Sequence, residues 1–96
     1  MIEISDGRGK YSLKLDGERV GVLTYRDAGD RRVLVHTEVE PDYGGQGLAT
    51  KIIEFALNDI REKGKRIVVV CPVVAHYLET HHDYDDLIDT VAGVGD

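Results

Sequence analysis

Three stretches of the chain carry groups able to do chemistry. In Gly44-Gly45-Gln46-Gly47-Leu48-Ala49-Thr50, three glycines fall within four residues, after a strand-like run and before a helix-like one. A glycine-rich turn that opens a helix lets the backbone approach a ligand closely. It also aims free N–H groups and the positive end of the helix dipole at that ligand, and the preferred guest is a phosphate. The plainer alternative is a tight turn with no ligand, since short glycine patterns are common. Upstream, His36 and Glu38 sit two residues apart on a strand, so both project to one side. A core strand has no need of that pair. It is either a solvated polar side or the floor of a ligand cleft. Downstream, the lone Cys71 ends an apolar run and directly precedes Pro72. A thiol at a helix N-terminus is favoured as thiolate and reacts as a nucleophile. The alternative is a small hydrophobe, the commonest role of a free cysteine.

A fourth group, His76, His81, His82, Asp83, Asp85 and Asp86, crowds the C-terminal region. Imidazoles suit zinc or nickel, but the spacing matches no ordered ligand set, and no metal is expected.

These groups need a scaffold to bring them together. Tyr11, Leu13 and Leu15 alternate with polar residues, and Asp16-Gly17 reads as a hairpin turn into a second strand over 19–26. A third strand is expected over 32–40, with Val33, Val35, Thr37 and Val39 on one face and Leu34, His36 and Glu38 on the other. Pro41 ends it. The following helix starts near Gly45 or Gln46. Leu48, Ile52, Ala56 and Ile60 form its apolar stripe, and Gly64 stops it. Ile67 to Val70 reads as an interior strand covered on both faces. Strand, helix and strand make a right-handed parallel crossover, which sets the glycine loop and Cys71 at the carboxyl end of the sheet, where ligands bind. Pro72 opens a short helix to about Thr80, and a last helical turn or two is expected around Tyr84 to Val91.

The bulk numbers fit one domain over residues 1–96. Residues 1–9 form a frayed end or a short edge strand, and 92–96 a second frayed end. Hydrophobic content of 42% and charged content of 31% suit a globular protein. No apolar run approaches the roughly 20 residues of a membrane span, and no signal pattern opens the chain. One cysteine fits a reducing cytoplasm and excludes an internal disulfide framework. Net charge is −6, with no basic face carrying interleaved aromatics, so neither nucleic acid nor membrane is expected as a partner.

The joint pattern resembles the GCN5-related N-acetyltransferases, whose cofactor loop reads Arg/Gln-x-x-Gly-x-Gly/Ala. Gly47 and Ala49 fit that loop, and Gly44 stands where the family has Arg or Gln. Over residues 10–90, the stretches His36-Thr37-Glu38-Val39, Cys71-Pro72 through Tyr77-Leu78, and His81-His82-Asp83-Tyr84 resemble the very small single-domain branch with a Cys-Pro motif. His82 replaces the proline of that branch's His-Pro-Glu-Tyr-like stretch.

The resemblance implies an α/β fold: a mixed sheet of four to five strands, one main crossover helix and short C-terminal helices. The helices that wall the acceptor side of larger members have no room between Asp16 and Arg19. It implies acetyl-CoA or coenzyme A as cofactor. The diphosphate rests on amides of Gly45 to Ala49, and the pantetheine arm runs between the third strand and the 67–71 strand. Val39, Gly44, Gly45, Gln46, Gly47, Leu48, Ala49, Thr50, Cys71 and Tyr77 then form the cofactor site. It implies Cys71, Glu38, His36 and Tyr77 as catalytic residues, with Tyr77 protonating the departing thiolate. The acceptor is a small-molecule or peptide amine, and the protein a monomer or a weak homodimer. A coenzyme A-binding module without turnover is the second reading.

Overall fold

In the computed structural model, which describes residues 1–91, a six-stranded mixed sheet carries two helices on one face. The expected tail at 92–96 lies outside the described residues. Strands β1 (Ile2–Gly7), β2 (Lys10–Leu15), β3 (Glu18–Ala28) and β4 (Arg31–Val39) form an antiparallel meander. Helix α1 (Leu48–Glu62) crosses over to β5 (Arg66–Val69), parallel to β4. Helix α2 (Pro72–Thr80) follows, then a single 3-10 turn at Asp85–Leu87, and strand β6 (Ile88–Val91) lies parallel to β5.

Two departures raise the strand count above four or five. The N-terminal stretch is a full edge strand, because the tight Arg8-Gly9 turn lets all of Ile2–Gly7 pair with β2. The expected last helix around Tyr84 to Val91 is only one 3-10 turn. Pairing with β5 draws the β-branched Ile88, Thr90 and Val91 into a strand, so tertiary contact overrides the local polar pattern.

Local chemistry explains the rest. Asp16 and Gly17 both take positive φ, 51° and 90°, the signature of the two-residue turn that matches strand twist. The apolar stripe of α1 is buried as its spacing requires, with Ile52, Ala56, Leu57 and Ile60 all fully inaccessible against Tyr11, Leu13, Leu23 and Leu34. Helix α1 starts at Leu48, later than Gly45 or Gln46, because Gly47 is left-handed (φ 73°) and cannot continue a right-handed helix.

Strand β4 departs from simple alternation. Thr24 pairs with His36 and Tyr25 with Leu34, so Val35 is an extra residue, a bulge. The phase shifts there. Leu34 lies in the core and shares that face with Thr37, while His36 is exposed on the other face. The expected grouping of Leu34 with His36 and Glu38 is thereby corrected. Strand β5 is interior in order but covered on one face only. Ile67 and Val69 are buried, whereas Val68 is half-buried and Val70 is exposed. Among the described residues, no helix is long and apolar enough to cross a membrane.

Candidate functional site

The site begins where β4 and β5 part. Their pairing runs only from Arg31 with Arg66 to Leu34 with Val69. The Leu34 carbonyl then accepts from both Val70 N–H (3.0 Å) and Cys71 N–H (2.9 Å). Beyond it, β4 continues to Val39 with β3 on one side and, among the described residues, no strand on the other. The bulge at Val35 falls at that point, and a bulge bends the strand that carries it. A sheet that splits this way leaves main-chain groups facing a gap, the edge condition that an extended ligand satisfies.

The glycine loop closes one end of the gap. A 3-10 turn, Pro41–Tyr43, leads into Gly44, whose N–H donates to the Pro41 carbonyl at 3.1 Å. Gly47 caps α1 with no side-chain hydrogen bond, and the first turn holds no acidic residue. The amides of Leu48, Ala49 and Thr50 are therefore open to an external anion, aligned with the positive end of a fifteen-residue helix. A β-carbon built on Gly45 or Gly47 would meet no atom within 4 Å, so space lies before the loop. This donor set fits a diphosphate.

A groove of about 210 Å³ leads from the same turn along α2, lined by Ala49, Thr50, Ile53, Val73, Tyr77 and His81 among others. Tyr77 is buried. Its hydroxyl donates to Glu54 Oε2 on α1 at 3.1 Å, and its ring stacks on His81 with centroids 4.0 Å apart. Burial first, and the Glu54 carboxylate second, push the Tyr77 phenol up to about 12. It is a protonated donor at neutral pH. His81 Nδ1 lies 2.9 Å from the Tyr77 carbonyl and 3.1 Å from the Thr80 hydroxyl, which holds the ring in place.

Cys71 is fully buried at the N-cap of α2, with Sγ 3.2 Å from Thr37 Oγ1. Thr37 is itself buried, and its hydroxyl has the thiol as partner. His36 and Glu38 flank Thr37 in sequence but project to the opposite face, with side chains 61% and 75% exposed and Nε2 3.8 Å from Oε1. The four expected catalytic residues thus fall into two groups. Cys71 and Tyr77 lie on the helix side of the sheet, and His36 and Glu38 on the bare side. Val39 stands half-buried at the end of β4, against the core. Thr37 and Glu54 were missed by sequence reasoning. Thr37 was legible as the one polar residue in a row of valines. Glu54, on the polar side of α1, carried no signal. Among the described residues, no three His, Cys, Asp or Glu side chains are placed to share a metal ion.

A split sheet with an uncapped glycine loop at its open end makes an α/β fold with a cleft for an extended, anion-bearing ligand. The chain belongs to the GCN5-related N-acetyltransferases, whose family model matches residues 10–87. Among solved structures, a GCN5-like protein from Staphylococcus aureus is similar, with 26% identity and TM-score 0.72 over 97% of this chain and 90% of that one. The ribosomal-protein-S18-alanine N-acetyltransferase of Escherichia coli matches at 22% identity and TM-score 0.58, covering 65% of this chain and 42% of its own. The PaiA N-acetyltransferase of Thermoplasma acidophilum, solved with coenzyme A, matches at 14% and TM-score 0.55, covering 58% and 35%. The chain thus spans less than half the length of these last two enzymes. No curated protein matches it significantly.

Proposed function

We propose that residues 1–96 act as one cytoplasmic domain, an acetyl-CoA-dependent N-acetyltransferase for an amine acceptor, working as a monomer or a weak homodimer. One observation carries the reading: β4 and β5 separate directly beside an uncapped, glycine-lined helix N-terminus. Amides of Gly45 to Ala49 hold the diphosphate, Val39 and Thr50 flank it, and the free edge of β4 holds the pantetheine arm. Bound acetyl-CoA supplies an acetyl group on a thioester.

The protein's own groups then divide the work across the sheet. Glu38 or His36, exposed on the bare side, takes the proton of an incoming amine. Tyr77, protonated on the helix side, turns from Glu54 and gives its proton to the departing thiolate. Cys71 either lines the pocket or accepts the acetyl group on Sγ and passes it to the amine. Its complete burial against Thr37 favours the lining role in the form described.

The second reading, coenzyme A binding without turnover, draws on Gly44, which offers no side chain where the family has Arg or Gln, and on the separation of His36 and Glu38 from Cys71. Isothermal titration with coenzyme A, run beside acetyl-CoA consumption over a panel of amines and peptides, decides between them. Binding with consumption is expected. Binding alone supports the module, and no binding at millimolar coenzyme A overturns both. The same assay on Cys71→Ser, with intact mass after acetyl-CoA, tests the nucleophile: unchanged turnover and no added acetyl group leave direct attack.

A further inference from the structure

Strand β3 carries a bulge near its start. Leu13 pairs with Gly21 and Lys14 with Arg19, so Val20 is an extra residue. Val20 is 1% exposed and belongs to the core. Gly21 is turned to the helix side, since a β-carbon there would lie 2.8 Å from Ile52 Cδ1 of α1. Two successive residues are thus turned inward, and main chain alone faces the bare side between Arg19 and Val22. A hollow of about 180 Å³ lies there, lined by Arg19, Val20, Gly21, Val22, Glu38 and Glu40. Register sets Val22 beside Glu38, and the Glu40 N–H donates to the Val20 carbonyl at 2.8 Å. Both carboxylates therefore border the hollow from the β4 side.

The charges around it are of both signs. Arg19 stands at one end with Lys14 as its neighbour on β2, and Glu3 lies beyond Lys14 on β1. Glu38 has His36 as an ion-pair partner at 3.8 Å. Among the described residues, Arg19, Glu38 and Glu40 make no ion pair with one another. A hollow that holds unpaired charges of opposite sign apart fits a ligand carrying both. Its ammonium meets the carboxylates, and its carboxylate meets the guanidinium, which binds such groups in a two-pronged fashion. The volume lies below the roughly 300 to 1,000 Å³ of pockets for drug-sized ligands and suits a molecule of amino-acid size. A simple polyamine would leave Arg19 unanswered. The hollow also adjoins the open gap, because Glu38 lies on the stretch of β4 beyond Leu34 that β5 does not pair.

We propose that this hollow binds a free amino acid, with its carboxylate on Arg19 and its ammonium on Glu38 and Glu40. Its role as acetyl acceptor rests on the transferase reading above; its binding does not. In transfer the amine nitrogen bonds the acetyl carbon as the thioester C–S bond breaks. Of the two protons the ammonium loses, one passes through Glu38 to solvent, and the other replaces the one Tyr77 gives to the thiolate. The full chain, labelled with nitrogen-15, is titrated at pH 7 with the free L-amino acids, each beside its C-terminal amide. A free amino acid is expected to shift the amides of Arg19, Gly21, Val22 and Glu40, and its amide, which lacks the carboxylate, to bind at least ~10-fold more weakly. Arg19→Gln is expected to abolish that preference. The position is exposed, and an unchanged circular dichroism spectrum and Tm show the variant to be folded. Equal binding of acid and amide overturns the assignment, as do a preference kept in Arg19→Gln, shifts confined to α1 and α2, or no binding by any of the amino acids. Acetyl-CoA is then added and product read by mass spectrometry. N-acetylated amino acid supports the acceptor role. Binding in the hollow with no product keeps the site and removes the transferase reading. Acetylation of amines without a carboxylate, equal in wild type and Arg19→Gln, keeps the transferase and overturns the site.

Discussion

At the start of β4, Arg32 is 4% exposed and every group around it is engaged. Its guanidinium donates to both Asp27 oxygens at 2.8 and 3.1 Å and to the Tyr11 hydroxyl at 2.7 Å, and it lies 4.0 Å over the Tyr25 ring. Tyr11 in turn donates to Asp59, Tyr25 to Asp6, and Lys63 bridges both carboxylates. Burial opposes the Arg32 charge, but Asp27 and Tyr11 more than offset it and hold its pKa above the ordinary arginine value. At the far end of the same strand, the arrangement is the reverse. Helix α1 is uncapped, the strands have parted, and Glu38 and His36 stand in solvent. One end uses its polar groups to close the fold, and the other leaves them free. The contrast teaches where to expect stability and where to expect function, since satisfied buried networks rigidify and open donors bind.

The sharpest way to break this contrast is Arg32→Met. It strands the Asp27 carboxylate and the Tyr11 hydroxyl and leaves Lys63 alone to neutralise Asp6 and Asp59, and a loss of about 3 kcal/mol is expected from urea unfolding. Coenzyme A affinity of the folded variant should be unchanged. A loss under about 1 kcal/mol, the range of a surface pair, would show that the cluster does not hold the closed end.

At the open end the effect should appear in turnover. Tyr77→Phe removes the hydroxyl that donates to Glu54, and acetyl transfer is expected to fall about 10²-fold with coenzyme A affinity unaltered. The stability cost should be about 1 kcal/mol. Wild-type turnover in steady-state assays would remove Tyr77 as the acid.

The smallest expected effect is on pH dependence, read from Tm across a pH series. Burial first, with Asp6 and Glu54 next, pushes Tyr25 and Tyr77 up to about 12 from an ordinary 10.0. Both raised values favour the protonated, folded form. Their contribution is full below pH 10 and is lost as pH rises towards 12. Asp27, through Arg32, and Asp59, whose burial is outweighed by Lys63 and Tyr11, are held below the usual 3.8. Their contribution is present above 3.8 and lost as pH falls through the lower folded values. A plateau between these limits is expected, and a Tm that falls steadily from pH 7 to 9 would contradict it.

The open end was largely legible in the sequence, and the closed end was not. Glycines before a helix and a Cys-Pro after an apolar run are local signals, and the loop and α2 stand where those signals put them, with α1 beginning slightly later, at Leu48. The Arg32 cluster joins residues from β1, β2, β3, β4 and α1, and no spacing in the chain announces it. The bulge at Val35 was hidden for a related reason. It is set by how β3 and β4 share their register, and it moved Leu34 and His36 to opposite faces. Strand β6 was lost to its polar lead-in, because only the presence of β5 alongside makes it a strand.

Helix α1 runs between the two ends, and at fifteen residues it is roughly 22 Å long. Its last turns are clamped: Asp59 by Tyr11 and Lys63, and Arg61 by Asp86 and the Asp83 carbonyl. A helix is stiff along its axis, so clamping one end fixes the other. The amides of Leu48 to Thr50 are therefore preorganised. A ligand arriving there meets donors already in position, and little conformational entropy is left to be lost on binding.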